Sequence, residues 1–161
     1  RVQNLLNNGF QSSGNLFNLD YSFIHSLKKA IENKIIKYRS IFQDSSSGFI
    51  KEWPNSFYLN GWMVSMQSGG FLKPHNHEEG WLSGSFYLHV PQRDISCNDG
   101  SIAFTYQGPS YPQGNNKFTT NIKHVKTRDI CMFPSSLFHY TIPFNDTDER
   151  ICFVFDLHPR Y

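Results

Sequence analysis

The spacing of apolar residues changes once along the chain, near Gly48. From Tyr21 to about Arg39, apolar residues recur every three or four positions and lysines occupy much of the opposite face. This period predicts one amphipathic helix packed on the outside of a sheet. Its predicted inward positions are Phe23, Leu27, Ala30 or Ile31, Ile35 and Tyr38. After Gly48, short extended segments alternate with turn signals, so we expect a mainly β core with one flanking N-terminal helix.

Seven segments of this second part are predicted to be strands. They cover residues 57–66, 81–90, 101–106, 118–124, 130–133, 138–142 and 150–157. Many short strands at near-regular spacing are typical of a sandwich or barrel. Residues 1–18 are rich in Asn, Gln, Ser and Gly and are predicted to be a lead-in segment or linker. Residues 19–161 are then one domain, with its β core at about 57–157.

Composition narrows the classes of function. A chain of 161 residues is long enough for one domain with a substantial core. Aromatic residues make up 16% and charged residues only 17%, which favours β structure over a helical bundle. The net charge of +2, with basic residues scattered along the chain, gives no support for nucleic-acid binding. No apolar run approaches the roughly 18 residues of a membrane span.

The cysteines and the first residue bear on location. Cys97, Cys131 and Cys152 are an odd number without a repeated spacing, which predicts free thiols in a reducing compartment and hence a cytoplasmic protein. No signal peptide opens the chain. A start at Arg1 instead of Met is consistent with a domain of a longer, multidomain protein.

Three histidines form the main candidate for chemistry. His75 and His77 are two residues apart, so on an extended strand their imidazoles would point the same way. His139 follows far downstream, at the end of Phe-Pro-Ser-Ser-Leu-Phe-His. A close pair and a distant third histidine are typical of a redox-active first-row metal held inside a β-barrel. Three ligands on one side leave positions open for substrate or dioxygen.

Arg150 opens the last predicted strand, which is otherwise apolar. Alternation places Arg150, Cys152 and Val154 on one face of this strand and Ile151, Phe153 and Phe155 on the other. A buried arginine needs an anionic partner, and its planar fork suits a carboxylate. The alternative is an ion pair at the surface with Asp146, Asp148 or Glu149.

Together these motifs resemble those of the iron(II)- and 2-oxoglutarate-dependent oxygenases of bacteria and phages, relatives of the prolyl-hydroxylase-like enzymes. The resemblance covers roughly residues 57–157. It is carried by the segments Lys-Pro-His-Asn-His (73–77), Leu-Ser-Gly-Ser-Phe-Tyr-Leu-His-Val-Pro (82–91), Asp-Gly-Ser-Ile-Ala-Phe (99–104) and Phe-Pro-Ser-Ser-Leu-Phe-His (133–139), and by Arg150.

The resemblance implies a fold, cofactors and residue roles. The fold would be a double-stranded β-helix (jelly roll, cupin-like) with helices outside. His75, His77 and His139 would bind Fe(II), and Arg150 would hold the distal carboxylate of the co-substrate 2-oxoglutarate. The reaction would use O2 to hydroxylate a substrate, with release of succinate and CO2. Tyr87 and Ser83, on one face of the strand at 81–90, could line the co-substrate pocket, with core packing as the alternative.

Two positions depart from the pattern of the wider superfamily. The commoner motif has Asp or Glu where this chain has His77, so the site would be three neutral imidazoles unless Glu78 or Glu79 binds instead. Many relatives also have a serine two residues after the arginine. Cys152 takes that position here, which weakens one hydrogen bond to the co-substrate.

Two other classes of function stay open. The first is a cupin-type three-histidine dioxygenase that does not use 2-oxoglutarate; Gly69 and Pro134 echo cupin spacing, but Arg150 has no role in it. The second is a non-catalytic jelly-roll module that binds a metal, a sugar or a protein. The substrate, whether small molecule or peptide, and the oligomeric state are not determined by the sequence. Trp62 and Trp81 could border a substrate pocket. His89 is predicted to be structural, and His25, His124 and His158 show no pattern of partners.

Overall fold

The computed structural model describes residues 5–92, 94, 96–108 and 119–160. Its helical elements are a 3-10 turn at Leu16–Asn18, helix α1 at Ser22–Ile41 and the short helix α2 at Gly48–Lys51. Its strands are β1 (Leu6–Gln11), β2 (Phe57–Leu72), β3 (Leu82–His89), β4 (Ile102–Thr105), β5 (Asn121–Lys123), β6 (Ile130–Pro134), β7 (Phe138–Thr141) and β8 (Arg150–Pro159). No helix in these ranges combines the length and the apolar character needed to cross a bilayer.

The strands form two antiparallel sheets. The larger has the order β1-β2-β8-β3-β6, and the smaller has the order β5-β4-β7. A core between them includes Val64, Met66, Tyr87, Ile102 and Phe133. This arrangement confirms the predicted jelly roll with a helix on its outside.

Helix α1 packs on the outer face of the larger sheet, as its period predicted. Its buried residues are Ile24, Ile31 and Ile35, and they share one apolar cluster with β8. The predicted inward face was wrong at its first position, because Phe23 is exposed and its neighbour Ile24 is buried. Phe23 instead stacks on Tyr21 at the start of the helix, with ring centroids 5.6 Å apart.

Strand β8 is the central strand of the larger sheet and has two chemically different faces. Its outward residues Phe153, Phe155 and Leu157 join the cluster under α1. Gly84, opposite Phe155 on β3, leaves room for that ring, which a side chain at position 84 would meet. The inward residues Arg150, Cys152 and Val154 line a cavity between the sheets. The alternation predicted for this strand is therefore confirmed.

The largest difference from the sequence-based expectation lies at the N-terminus. Leu6–Gln11, predicted as part of a lead-in segment, form the edge strand β1 paired with β2, and Phe17 is buried against Phe153. An edge strand needs partners on one side only, so its polar sequence carries little strand signal. β2 also continues past the predicted end at Met66, and Gly69 within this extension adopts a positive φ of 76°, which glycine tolerates without strain. Phe118, in the predicted strand 118–124, lies outside the described residues.

Candidate metal centre and co-substrate cavity

The fold brings the three predicted histidines together. His75 follows β2 and forms an isolated antiparallel bridge with His139 on β7, with N–O distances of 3.0 and 2.9 Å. The backbone N–H of His77 donates to the carbonyl of Ser135 at 2.9 Å. One nitrogen of each imidazole lies within 4.8 Å of the others. This spacing suits three ligands around one ion, since a metal–imidazole bond is about 2 Å long.

His75 and His77 lie just beyond the end of a strand and not within it. β2 ends at Leu72, and the bridge to His139 is the strand-like pairing that His75 makes. The i, i+2 spacing still brings the two rings together, with the imidazole centroids of His75 and His77 5.3 Å apart. The pair is held by backbone hydrogen bonds to the segment that carries His139.

Each imidazole is oriented by a hydrogen bond at Nδ1. The partners are the carbonyl of Lys73 for His75 (2.7 Å), a carboxylate oxygen of Asp156 for His77 (2.7 Å) and the carbonyl of Leu137 for His139 (3.1 Å). Carbonyl and carboxylate oxygens only accept, so Nδ1 must carry the proton in all three rings. The lone pair is then on Nε2, which is the arrangement of a metal-binding histidine.

The site favours neutral imidazoles. Burial lowers the pKa of His75 to about 4, with the neighbouring His77 contributing. Burial, and then the nearby His75 and His77, also hold the pKa of His139 well below its ordinary value of 6.5. Since a metal ligand must be deprotonated at the binding nitrogen, His75 and His139 are ready for metal at neutral pH.

Arg150 is buried at the far side of the same cavity, with 2% of its surface exposed. Its Nε donates to the carbonyl of Gly100 at 3.0 Å, and its guanidinium carbon lies 4.9 Å from the centre of the Tyr87 ring. No carboxylate of the described residues lies within 4.0 Å of the guanidinium.

The alternative of a surface ion pair for Arg150 is wrong. Glu149 accepts from the Ser65 hydroxyl at 2.8 Å, and Asp148 lies 3.6 Å from His89. Arg150 points inward, away from both of these exposed carboxylates. A buried guanidinium without an anionic partner in the described chain is costly, so it marks a place for an anion.

The cavity between the histidines and Arg150 has mainly apolar walls. They come from β2, β4 and β8 and include Trp62, Val64, Met66, Ile102 and Val154. Tyr87 also lines the cavity, and its buried hydroxyl has no hydrogen-bond partner among the described residues. Burial raises the pKa of Tyr87, so this hydroxyl stays a proton donor at neutral pH. The cavity thus offers a guanidinium and a phenol at one end and three imidazoles at the other.

Comparison with known proteins decides the family. Residues 60–156 match the family model described as "Putative 2OG-Fe(II) oxygenase". This match spans more than half of the chain and includes the three histidines and Arg150. The chain belongs to the 2OG-Fe(II) oxygenase family. It is therefore an oxygenase that uses Fe(II) and 2-oxoglutarate, as the resemblance in its motifs implied.

Solved structures support the fold of this oxygenase. A prolyl-4-hydroxylase from Pseudomonas putida is similar at a TM-score of 0.59 and 11% identity, over 95% of this chain and 72% of that one. HygX from Streptomyces hygroscopicus, with nickel and 2-oxoglutarate bound, is similar at a TM-score of 0.63 and 14% identity, over 99% of this chain and 73% of that one. No curated protein matches the sequence.

Sequence reasoning missed Asp156 in the oxygenase site. This carboxylate is 5% exposed on the inner face of β8, and its Oδ1 accepts from Nδ1 of His77. The signal was available, because position 156 continues the inward series that begins at Arg150, and a carboxylate there would be buried. The predicted inward series ended at Val154, so the carboxylate two residues later was not assigned to the site.

Ser83 lies in a network of hydrogen bonds behind His77. Its hydroxyl donates to Oδ1 of Asp156 at 2.6 Å and contacts the Ser135 hydroxyl at 2.8 Å. Ser83 faces Asp156 across the β3–β8 pair and does not line the cavity with Arg150. Ser83 thus lies beside Asp156 and Nδ1 of His77, and a contact between Ser83 and the co-substrate stays a prediction.

Among the remaining candidate residues, some line the cavity and others lie outside it. Trp62 lines the cavity, whereas Trp81 donates to the Phe49 carbonyl at 3.2 Å and stacks on the Phe49 ring. Glu78 and Glu79 are exposed and do not join the cluster of potential metal ligands. Cys152 is buried with its Sγ 3.8 Å from a guanidinium nitrogen of Arg150. All three cysteines are free thiols.

Proposed function

We propose that this oxygenase holds Fe(II) through Nε2 of His75, His77 and His139 and hydroxylates its substrate with release of succinate and CO2. The observation that carries the proposal is the placement of three imidazoles, each hydrogen-bonded at Nδ1, and of a buried guanidinium without an ion pair among the described residues around one cavity. A three-histidine metal site alone would fit many dioxygenases. Arg150 also needs an anionic partner, and a cupin-type dioxygenase that does not use 2-oxoglutarate would supply no anion for it.

The residues present fit both groups. The three Nδ1 atoms are already engaged as donors, so three Nε2 lone pairs are free to bind one cation. The guanidinium and the Tyr87 hydroxyl supply donors to a carboxylate. A charge-assisted contact of this kind is stronger than a neutral hydrogen bond, so these two donors suit the distal carboxylate of 2-oxoglutarate.

The protein's own part in the reaction is to bind, orient and exclude water. Apolar walls from Val64, Met66 and Ile102 keep the cavity dry, which strengthens the pairing of Arg150 with an anion. Bound Fe(II) and 2-oxoglutarate would together supply the activation of dioxygen and the oxidation chemistry. The substrate would enter beside Trp62, whose ring centroid lies 5.7 Å from that of His77.

We further infer a cytoplasmic location, because three free thiols suit a reducing compartment. The substrate is either a small molecule or a peptide side chain. Neither nucleic acid nor a membrane is proposed as a partner, given the small net charge of +2.

The test is formation of succinate from 2-oxoglutarate by the purified protein with Fe(II) and O2, screened over pools of small molecules and peptides. We expect succinate formation that requires both Fe(II) and 2-oxoglutarate and that increases when the pool contains the substrate. Oxygen uptake that needs iron but not 2-oxoglutarate would contradict the proposal and favour the cupin-type dioxygenase. Metal binding without any turnover or 2-oxoglutarate binding would favour a non-catalytic module.

A further inference from the structure

Asp156 is a buried carboxylate with an unusual set of neighbours. Its Oδ1 accepts from Nδ1 of His77 at 2.7 Å and from the Ser83 hydroxyl at 2.6 Å. Its Oδ2 lies 4.0 Å from Nε2 of His158, and no lysine or arginine of the described chain forms an ion pair with it. Burial of a carboxylate costs free energy unless a nearby positive charge or strong hydrogen bonds compensate it. The two hydrogen bonds to Oδ1 give part of that compensation.

The hydrogen-bond partners of the three imidazoles are not equivalent. His75 and His139 donate to neutral backbone carbonyls, whereas His77 donates to the charged Asp156. A carboxylate polarises the imidazole that donates to it and raises the basicity of the opposite nitrogen. His77 is thus the imidazole with the most electron-rich Nε2, and it occupies the position where the commoner motif has a carboxylate.

A network of hydroxyls fixes the position of Asp156. Ser83 lies opposite Asp156 in the β3–β8 pairing, so the two side chains share the inner face. The Ser135 hydroxyl contacts Ser83 at 2.8 Å, and the Ser135 carbonyl accepts from the backbone N–H of His77. The carboxylate and the imidazole are therefore anchored to the same segment, which holds their hydrogen bond in place.

We propose that Asp156 is a positioning residue that supplies, from behind His77, the negative charge that the three-histidine ligand set lacks. It fixes His77 with its proton on Nδ1 and increases the donor strength of Nε2 toward the metal. The proposal rests on the proposed function, since it takes His77 as a ligand. It deepens that function by stating how three neutral imidazoles hold a dication without a carboxylate ligand.

The first test is the affinity for Co(II), measured by competition with a chromophoric chelator. Asp156→Asn keeps the shape and an acceptor oxygen but removes the charge, so we expect affinity about 10–100-fold weaker than wild type. Glu149→Gln is the matched control, because Glu149 also accepts from a serine hydroxyl but is exposed. Its affinity should stay within about twofold of wild type. Asp156→Asn binding Co(II) as tightly as wild type would overturn the proposal.

The second test needs no substitution in Asp156 and so does not depend on a variant that folds. In the Zn(II)-loaded wild-type protein, the Nδ1 protons of the three histidines are compared by proton NMR, with assignment from through-space contacts to the residues that flank each ring. A charge-assisted hydrogen bond shifts its proton further downfield, so the His77 proton should lie downfield of those of His75 and His139. A His77 proton at or upfield of the other two would refute the role of Asp156.

The two tests separate this inference from the proposed function. Wild-type protein that binds Co(II) and turns over 2-oxoglutarate, together with an unchanged Asp156→Asn affinity, would leave the proposed function intact and remove Asp156 from it. Wild-type protein that binds neither Co(II) nor Zn(II) would overturn both. Weakened Asp156→Asn binding with a downfield His77 proton supports the inference.

Discussion

Replacing Arg150 with methionine removes a buried charge while a long side chain stays in its place. The substitution loses the hydrogen bond from Nε to the Gly100 carbonyl, worth about 1.5–3 kcal/mol for a charged donor. It also loses the contact with the Tyr87 ring, worth up to about 2 kcal/mol. Against this, the substitution removes the cost of keeping a charge out of water, which is on the order of several kcal/mol for one buried ion. We therefore expect the melting temperature without ligand to change little, by less than about 4 °C.

The effect on co-substrate binding should be much larger. Removing one partner of a buried charge pair typically costs about 2–5 kcal/mol, or at least a 30-fold loss of affinity. At a 2-oxoglutarate concentration of about 100 times the wild-type Kd, binding stabilises the folded protein by about 2.7 kcal/mol. In a domain of this size, that is a rise in Tm of about 5–11 °C. Arg150→Met should keep less than about a third of this rise.

The assay is thermal unfolding of the Ni(II)-loaded protein with and without 2-oxoglutarate, followed by circular dichroism. Arg160→Met is the control, because Arg160 also lies over a tyrosine ring, at 5.8 Å from Tyr58, but at the exposed end of β8. It should show the full wild-type rise. Arg150→Lys should recover only part, since an ammonium lacks the planar fork. A full 2-oxoglutarate-dependent rise in Arg150→Met would refute the role of Arg150.

Three further predictions concern the histidines. His139→Ala should lose metal binding while the exposed His25→Ala keeps it; stoichiometric Fe(II) in folded His139→Ala would exclude His139 as a ligand. His77→Asp should retain metal. The double variant with Asp156→Asn should bind the metal more tightly than His77→Asp alone, because the single variant buries two carboxylates side by side. Equal affinities of the two variants in a chelator competition would contradict this. The metal-free protein should lose stability as the pH falls from about 6.5 to 4, because burial depresses the pKa of His75 and His139 and the unfolded chain binds those protons first. His75 contributes at most about 3 kcal/mol to this loss of stability, and solvent screening of its partly exposed ring reduces the contribution further. Free energies of unfolding from denaturant melts that do not change over this pH range would contradict the prediction.

Alternation along the strands was the most reliable information in the sequence. It gave the inward and outward faces of β8 correctly, including Arg150 inside and Phe153 outside. It also placed Tyr87, which lines the cavity, on the same face of β3 as Ser83, which lies opposite Asp156. A period of two is imposed by strand geometry itself, so tertiary contacts change it little. The order of the motifs along the chain then indicated which β fold the chain adopts.

The features that the sequence did not predict depend on contacts between distant segments. β1 is a strand because β2 is long enough to pair with it, and its own residues alternate poorly. Phe23 and Ile24 are adjacent apolar residues, and the rotation of α1 about its own axis on the sheet decides which one is buried. Ser83 was correctly placed on the inner face of β3, but its partner could be identified only from the register that sets it opposite Asp156.

His77 stands where the commoner motif has a carboxylate ligand, and a carboxylate from elsewhere in the chain lies behind it. A site with three imidazoles lacks the charge of a carboxylate ligand, and that lack taken alone argues against a tightly bound Fe(II). The β3–β8 register places Asp156 directly behind the imidazole that replaces the carboxylate, 79 residues away in sequence. The negative charge is thus present one imidazole farther from the metal position. A substitution at a ligand position is best interpreted together with the residue that is hydrogen-bonded to the side of the ligand facing away from the metal. The charge near the metal comes from the ligands and from these hydrogen-bond partners together.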